Sequence, residues 1–121
     1  MVSLFLLLSY LASPSEAFEL HVFDPATRRT IRAPMPVARF GIGAAVLGNR
    51  LYVIGGGTNS GTIVNTVQAY DPVNNTWITK ASMPTARAQL GGVRATLDGQ
   101  SRIFAVGGSG AYGHRNEAYT P

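Results

Sequence analysis

The residues able to do chemistry are few in this chain of 121, and most stand in pairs. Asp24 and Asp71 are two carboxylates, and His21 and His114 are the two imidazoles. Gly55-Gly56-Gly57 follows an apolar run, where a backbone cradle for phosphate could lie. Arg28, Arg29 and Arg32 make the only local basic group. Cysteine is absent, which excludes disulfides, thiol catalysis, thiolate zinc sites and any cofactor built on cysteine.

Each reading meets a physical requirement. A phosphate cradle needs G-x-x-x-x-G-K-[ST], or G-x-G-x-x-G opening a helix whose N-terminus holds the anion. After Gly57 the chain runs "TNSGTIVNTVQAY", with no lysine and with β-branched residues that favour a strand. Both aspartates precede proline and read as turn starters, since Asp bonds nearby backbone and Pro presets φ. Two histidines without a converging third ligand make no metal site. His21 alternates with Leu20 and Val22 along a strand, and His114 stands in the loop "GSGAYGHRNE". Nine of the ten basic residues are arginines, and they are scattered, whereas nucleic-acid binding asks for a basic face. No catalytic residue, metal, cofactor or nucleic-acid partner is therefore expected, despite the net charge of +4.

The elements around these residues explain them better. Apolar content of 45% with 13% charged residues describes a packed chain, and 14 glycines with seven prolines suit short strands joined by turns. "GIGAAVL" (41–47) leads through Gly48-Asn49 into "RLYVIGG" (50–56), a hairpin pattern. "VNTVQAY" (64–70) and "TWITK" (76–80) complete four short antiparallel strands without a helical period.

That unit recurs. "FDPATRRT" at 23–30 matches "YDPVNNTW" at 70–77, and "MPVAR" at 35–39 matches "MPTAR" at 83–87, a shift of 48. "LYVIGG" at 51–56 matches "IFAVGG" at 103–108, a shift of 52, and "YTP" stands at 119–121. The extra residues are expected in a turn, where "LDGQSR" replaces "LGNR". The glycine pair Gly55-Gly56, the aromatic Tyr70, Trp77 seven residues later, and Met83-Pro84 with Arg87 resemble the kelch repeat. In the outer units the markers are Gly107, Gly108 and Tyr119, while Thr30 stands where tryptophan would recur.

The resemblance covers 18–121 and implies an all-β fold, a partial kelch-type β-propeller of four-stranded antiparallel blades. It divides the chain into the end of one blade (18–38), a complete blade (39–87) and an incomplete one (88–121). Glycines at the end of a blade's second strand serve backbone geometry, and Tyr70 and Trp77 are expected to pack between blades. A closed propeller needs more blades, so a piece of a larger protein is expected, completed by further blades or another copy.

The start of the chain supports two readings. "MVSLFLLLSYLASPSEA" (1–17) has the apolar region and small residues of a secretory leader cleaved before Phe18, although it lacks the early basic residue. It also fits a strand, with Ser9-Tyr10 in place of the glycine pair. As an apolar run it is too short to span a bilayer as a helix. Asn74-Asn75-Thr76 is a glycosylation sequon that matters only on a eukaryotic secretory route.

The kelch resemblance implies a non-catalytic module that binds a protein or glycan through the loops joining second and third strands. Those loops are "GTNSGTIV" (57–64) and "SGAYGHRN" (109–116). Candidate contacts are Arg39, Asn59, Arg87, Tyr112, His114 and Arg115. For Arg39 and Arg87 a buried role, bonding carbonyls between blades, competes with contact. The alternative function is the remnant of a kelch-like sugar oxidase or isomerase whose active-site residues lie outside this chain.

Overall fold

A computed structural model describes residues 5–7, 20–24, 28–110 and 117–120, with side-chain surroundings from residue 31 onward. The described residues are all strand, bridge, turn or irregular chain, and no helix among them is long and apolar enough to cross a membrane.

Residues 39–121 form one compact unit. Within it, β4 (Gly43–Leu47), β5 (Arg50–Ile54), β6 (Val67–Asp71) and β7 (Thr76–Lys80) pair in sequence order into a four-stranded antiparallel sheet. β8 (Gly91–Leu97), β9 (Gln100–Val106) and β10 (Glu117–Tyr119) make a second antiparallel sheet, in the order β10-β9-β8. Residues 1–38 form the other unit, where β1 (Phe5–Leu7), β2 (Leu20–Asp24) and β3 (Arg28–Arg32) pair in sequence order. Phe5 pairs with Phe23 there, as Leu51 pairs with Tyr70 in the complete blade. The remaining residues of 1–17 lie outside those described, and with them the leader reading.

Strand periodicity builds the core. Tyr52 and Ile54 point to one face of their sheet and stand opposite Ala69 and Val67. These four join Ile103, Ala105 and Tyr119 of the next sheet, with Met83 and Leu90 from the crossover, in one buried cluster. Tyr119 thus packs between blades, as the repeat implies, and Ile103 is fully buried beside it. Small residues set the approach of the innermost strands. A Cβ on Gly92 would meet Ala44 N at 2.7 Å, which no side chain tolerates.

The four residues inserted in the third blade do not lengthen its turn. Gly48-Asn49 and Asp98-Gly99 are both two-residue turns, with φ of 56° and 58° in the first and 51° and 74° in the second. The insertion adds two residues to each strand, making β8 and β9 seven residues long against five in β4 and β5. Two per strand is the increment that keeps every side chain on its face, because the strand repeats every two residues.

Antiparallel order also sorts the connections by end. The turns at 48–49 and 72–75 lie at one end of the complete blade, the turn end. The loop 57–63 and the crossover 81–90 lie at the other, the loop end.

Candidate interaction face

The loop end begins at a corner. After β5, Gly55 and Gly56 take φ of 61° and 102°, a left-handed turn that costs glycine little. Such a corner leaves carbonyls without strand partners, and buried carbonyls need donors. Arg39 supplies them. Its Nη1 donates to Gly55 O at 2.7 Å and to Thr66 O at 2.9 Å, and its Nη2 donates to Gln68 Oε1 at 2.9 Å. One guanidinium thereby ties the end of β5 to the start of β6. The side chain is 3% exposed, and burial pushes its pKa down to about 10.

The third blade repeats the device with a different acceptor. Arg87 is fully buried and its Nη1 donates to Gly107 O at 3.0 Å. Its Nη2 lies 3.4 Å from Glu117 Oε1, which also accepts from the Thr85 hydroxyl. Glu117 stands where Gln68 stands one blade earlier, two residues before the repeat aromatic in each case. Backbone bonds join the crossovers to these corners, from Gly56 N to Arg87 O at 2.8 Å and from Gln89 N to Gly41 O at 2.6 Å. The loops therefore spring from a fixed base.

On that base Phe40 and Gly57 form an isolated antiparallel bridge, closed by two backbone bonds of 2.9 Å, and Gly57 bridges Ile63 on its other side. Opposed residues share a face, so Phe40 and Ile63 flank a bare glycine. A Cβ on Gly57 would lie 2.8 Å from Phe40 Cζ, so the ring folds over the glycine. Beyond it the loop closes on itself, with Thr58 N donating to Thr62 O and Gly61 N to Thr58 O, both at 2.9 Å. The hydroxyls of Thr58, Ser60 and Thr62 run in a chain at 2.8 Å and 3.3 Å. Asn59 is exposed at the tip.

The expected residues thus divide. Asn59 lies on the loop-end surface. Arg39 and Arg87 take the buried of the two roles open to them, their guanidinium groups directed at carbonyls and at Gln68 or Glu117 instead of solvent. Tyr112, His114 and Arg115 lie outside the described residues. Phe40 was missed in the sequence because it follows the repeat marker "MPVAR", and its signal is the contrast with Ala88 at the same place one repeat later.

The carboxylate that suggested chemistry is a turn element. Asp71 Oδ1 accepts from Val73 N at 2.9 Å and Asn74 N at 3.3 Å, and Oδ2 accepts from Asn74 Nδ2 at 2.9 Å. The Asn74 amide chiefly holds its pKa below the ordinary carboxylate value. Arg50, at 3.9 Å, adds a smaller pull in the same direction. At the same end the Tyr70 and Trp77 rings pack with centroids 5.2 Å apart and planes tilted by 46°, and Tyr70 Oη donates to Asn75 Oδ1 at 2.8 Å. No group of three His, Cys, Asp or Glu among the described residues could hold a metal.

Comparison with known proteins agrees with this geometry. The family model for the kelch motif matches residues 38–84. Kelch-like ECH-associated protein 1B of Danio rerio is 37% identical over 101 residues, 80% of this chain and 16% of that protein. Kelch-like protein 13 of Mus musculus is 38% identical over 102 residues, 78% of this chain and 15% of that protein. The chain thus spans about one sixth of the length of these curated relatives. Among solved structures, YjhT superimposes with a TM-score of 0.61 at 23% identity, covering 74% of this chain and 28% of that one, a likeness of fold alone. With glycine corner, buried arginine and repeat aromatic recurring from one blade to the next, and this motif match across the complete blade, the chain belongs to the kelch-repeat family.

Proposed function

We propose that the chain is a non-catalytic interaction module that binds a protein partner through the loop end of its blades. The observation that carries this reading is the loop 58–62. It is exposed, free of charge and internally bonded, and it stands on a corner fixed by the buried Arg39. Preorganised loops on a rigid scaffold are where binding residues concentrate, because little entropy is lost when they are engaged. Similarity to a relative named for its association with ECH supports the same reading. Tyr112, His114 and Arg115 fall in the corresponding connection of the third blade, between β9 and β10, and are assigned to the same face.

The test is selection of displayed short random peptides on the immobilised chain. We expect selected peptides to lose binding when Asn59, Tyr112, His114 and Arg115 are replaced together by alanine. Peptides that bind this variant as well as the parent would sink the loop-end reading. The hydroxyl chain Thr58–Ser60–Thr62 favours a glycan as second reading, tested by the same variant on a glycan array.

A further inference from the structure

Phe40 is an aromatic that the repeat does not require. In the next blade Ala88 makes the same bridge, to Ser109, with backbone bonds of 2.9 Å and 2.7 Å. The crossover therefore forms without a ring, yet Phe40 keeps one that is 47% exposed, beside Ile63 at 39%. The ring is held, because it lies over Gly57 where any side chain would collide with it. A large apolar group fixed at the surface beside ordered polar groups is the arrangement of an interface anchor.

The electrostatics choose its partner. From Gly57 to Val64 no residue ionises, and the cation adjacent to Phe40 in the chain, Arg39, is turned inward onto Gly55, Thr66 and Gln68. A charged group docking here would lose hydration with no counter-charge to replace it. An uncharged segment loses only what the apolar contact and the loop's hydroxyl and amide groups return.

Resting on the reading that the loop end binds protein, we infer that Phe40, Gly57 and Ile63 form an anchor site for one large apolar side chain. That side chain belongs to an uncharged segment of the partner, whose backbone is bonded by Thr58, Asn59 and Ser60. Phe40 and Ile63 supply the contact. Gly57 positions the ring by leaving room for it.

The experiment uses the whole chain and the peptides selected on it. Their shared feature should be one large apolar residue without net charge. Phe40→Ala should weaken them by about tenfold or more, as truncating an anchor does. Gly57→Ala keeps the ring but displaces it, so binding should fall while the denaturation midpoint stays with the parent. Because Phe40 and residues 57–64 carry no charge, affinity should change less than about twofold up to about 1 M salt, where screening acts within about 3 Å. Peptides that depend on Asn59 but carry obligatory charges, weaken with salt, or ignore Phe40→Ala would overturn the anchor and leave the loop-end reading standing. Failure to select any peptide, or peptides indifferent to every loop-end substitution, overturns both.

Discussion

Arg87 and Arg39 show how one repeat position solves one problem with two chemistries. Each buried guanidinium satisfies the carbonyl at a glycine corner. Arg39 then meets the neutral amide of Gln68, and Arg87 meets the carboxylate of Glu117. Removing one member of a buried pair leaves the other without compensation, so Arg87→Ala should cost about 3–5 kcal/mol in denaturant unfolding. Glu117→Gln recreates the arrangement already present at Arg39 and keeps an oxygen for Thr85 and Arg87. Its cost should stay below about 1.5 kcal/mol. Asp71 acts through titration. Its folded-state pKa is depressed, so its contribution is complete above the ordinary carboxylate range and disappears as pH falls through the lowered value. The stability difference between the parent and Asp71→Asn should therefore narrow on acidification. A gap that stays constant down to low pH would exclude this role.

At the scale of elements, the β8–β9 hairpin is informative because the insertion preserved its grammar. Two added residues per strand extend the ladder by about 7 Å at the turn end, at about 3.4 Å each. The added positions pair Thr96 with Ser101 and Leu97 with Gln100. Side chains here are exposed or half-buried, and Arg94 and Thr96 reach Ser101 through side-chain bonds of 3.4 Å and 3.0 Å. Deleting Thr96, Leu97, Gln100 and Ser101 together restores the length of the other hairpin and keeps Asp98-Gly99 as its turn. That deletion should shift stability by less than about 1 kcal/mol, since it removes surface contacts only. Deleting Leu97 alone shifts the register by one residue, takes Arg94 from opposite Ile103 and Gly92 from opposite Ala105, turns each side chain of β8 to the other face, and should abolish cooperative unfolding.

At the scale of the whole molecule, the two blades of residues 39–121 stack face to face, and each face has a distinct state. The face carrying Tyr52, Ile54, Val67 and Ala69 is covered by the third blade. The corresponding face of the third blade carries Val93 at 53%, Leu97 at 48% and Val106 at 44% exposure. Val93 stands opposite Phe104 there, so the stripe is continuous. An apolar stripe of this kind binds hydrophobic probes. Val93→Glu in this chain should lower the fluorescence of a bound hydrophobic dye while moving stability by less than about 0.5 kcal/mol, as surface substitutions do. A large loss of stability would mean that this face is buried in solution.

Much of this was legible in the residues themselves. The strands of the complete blade were readable because alternation, glycine corners and Gly48-Asn49 are local signals, set by backbone sterics within a few positions. The kelch repeat was readable because markers at fixed spacing must build the same unit twice. The roles of Arg39 and Arg87 were left open between contact and burial, since an arginine after "MPVA" or "MPTA" is compatible with either until the corner closes around it. The roles of Phe40 and of the Gln68–Glu117 exchange were not legible for a related reason: their meaning depends on Gly57 and on two arginines brought close only by pairing distant strands. The sequence by itself determined the strand grammar, the turn chemistry and the absence of thiol sites, all properties of short stretches. Tertiary structure alone decided which polar groups face inward and which aromatic stays out, because burial is a property of the neighbours that folding brings together.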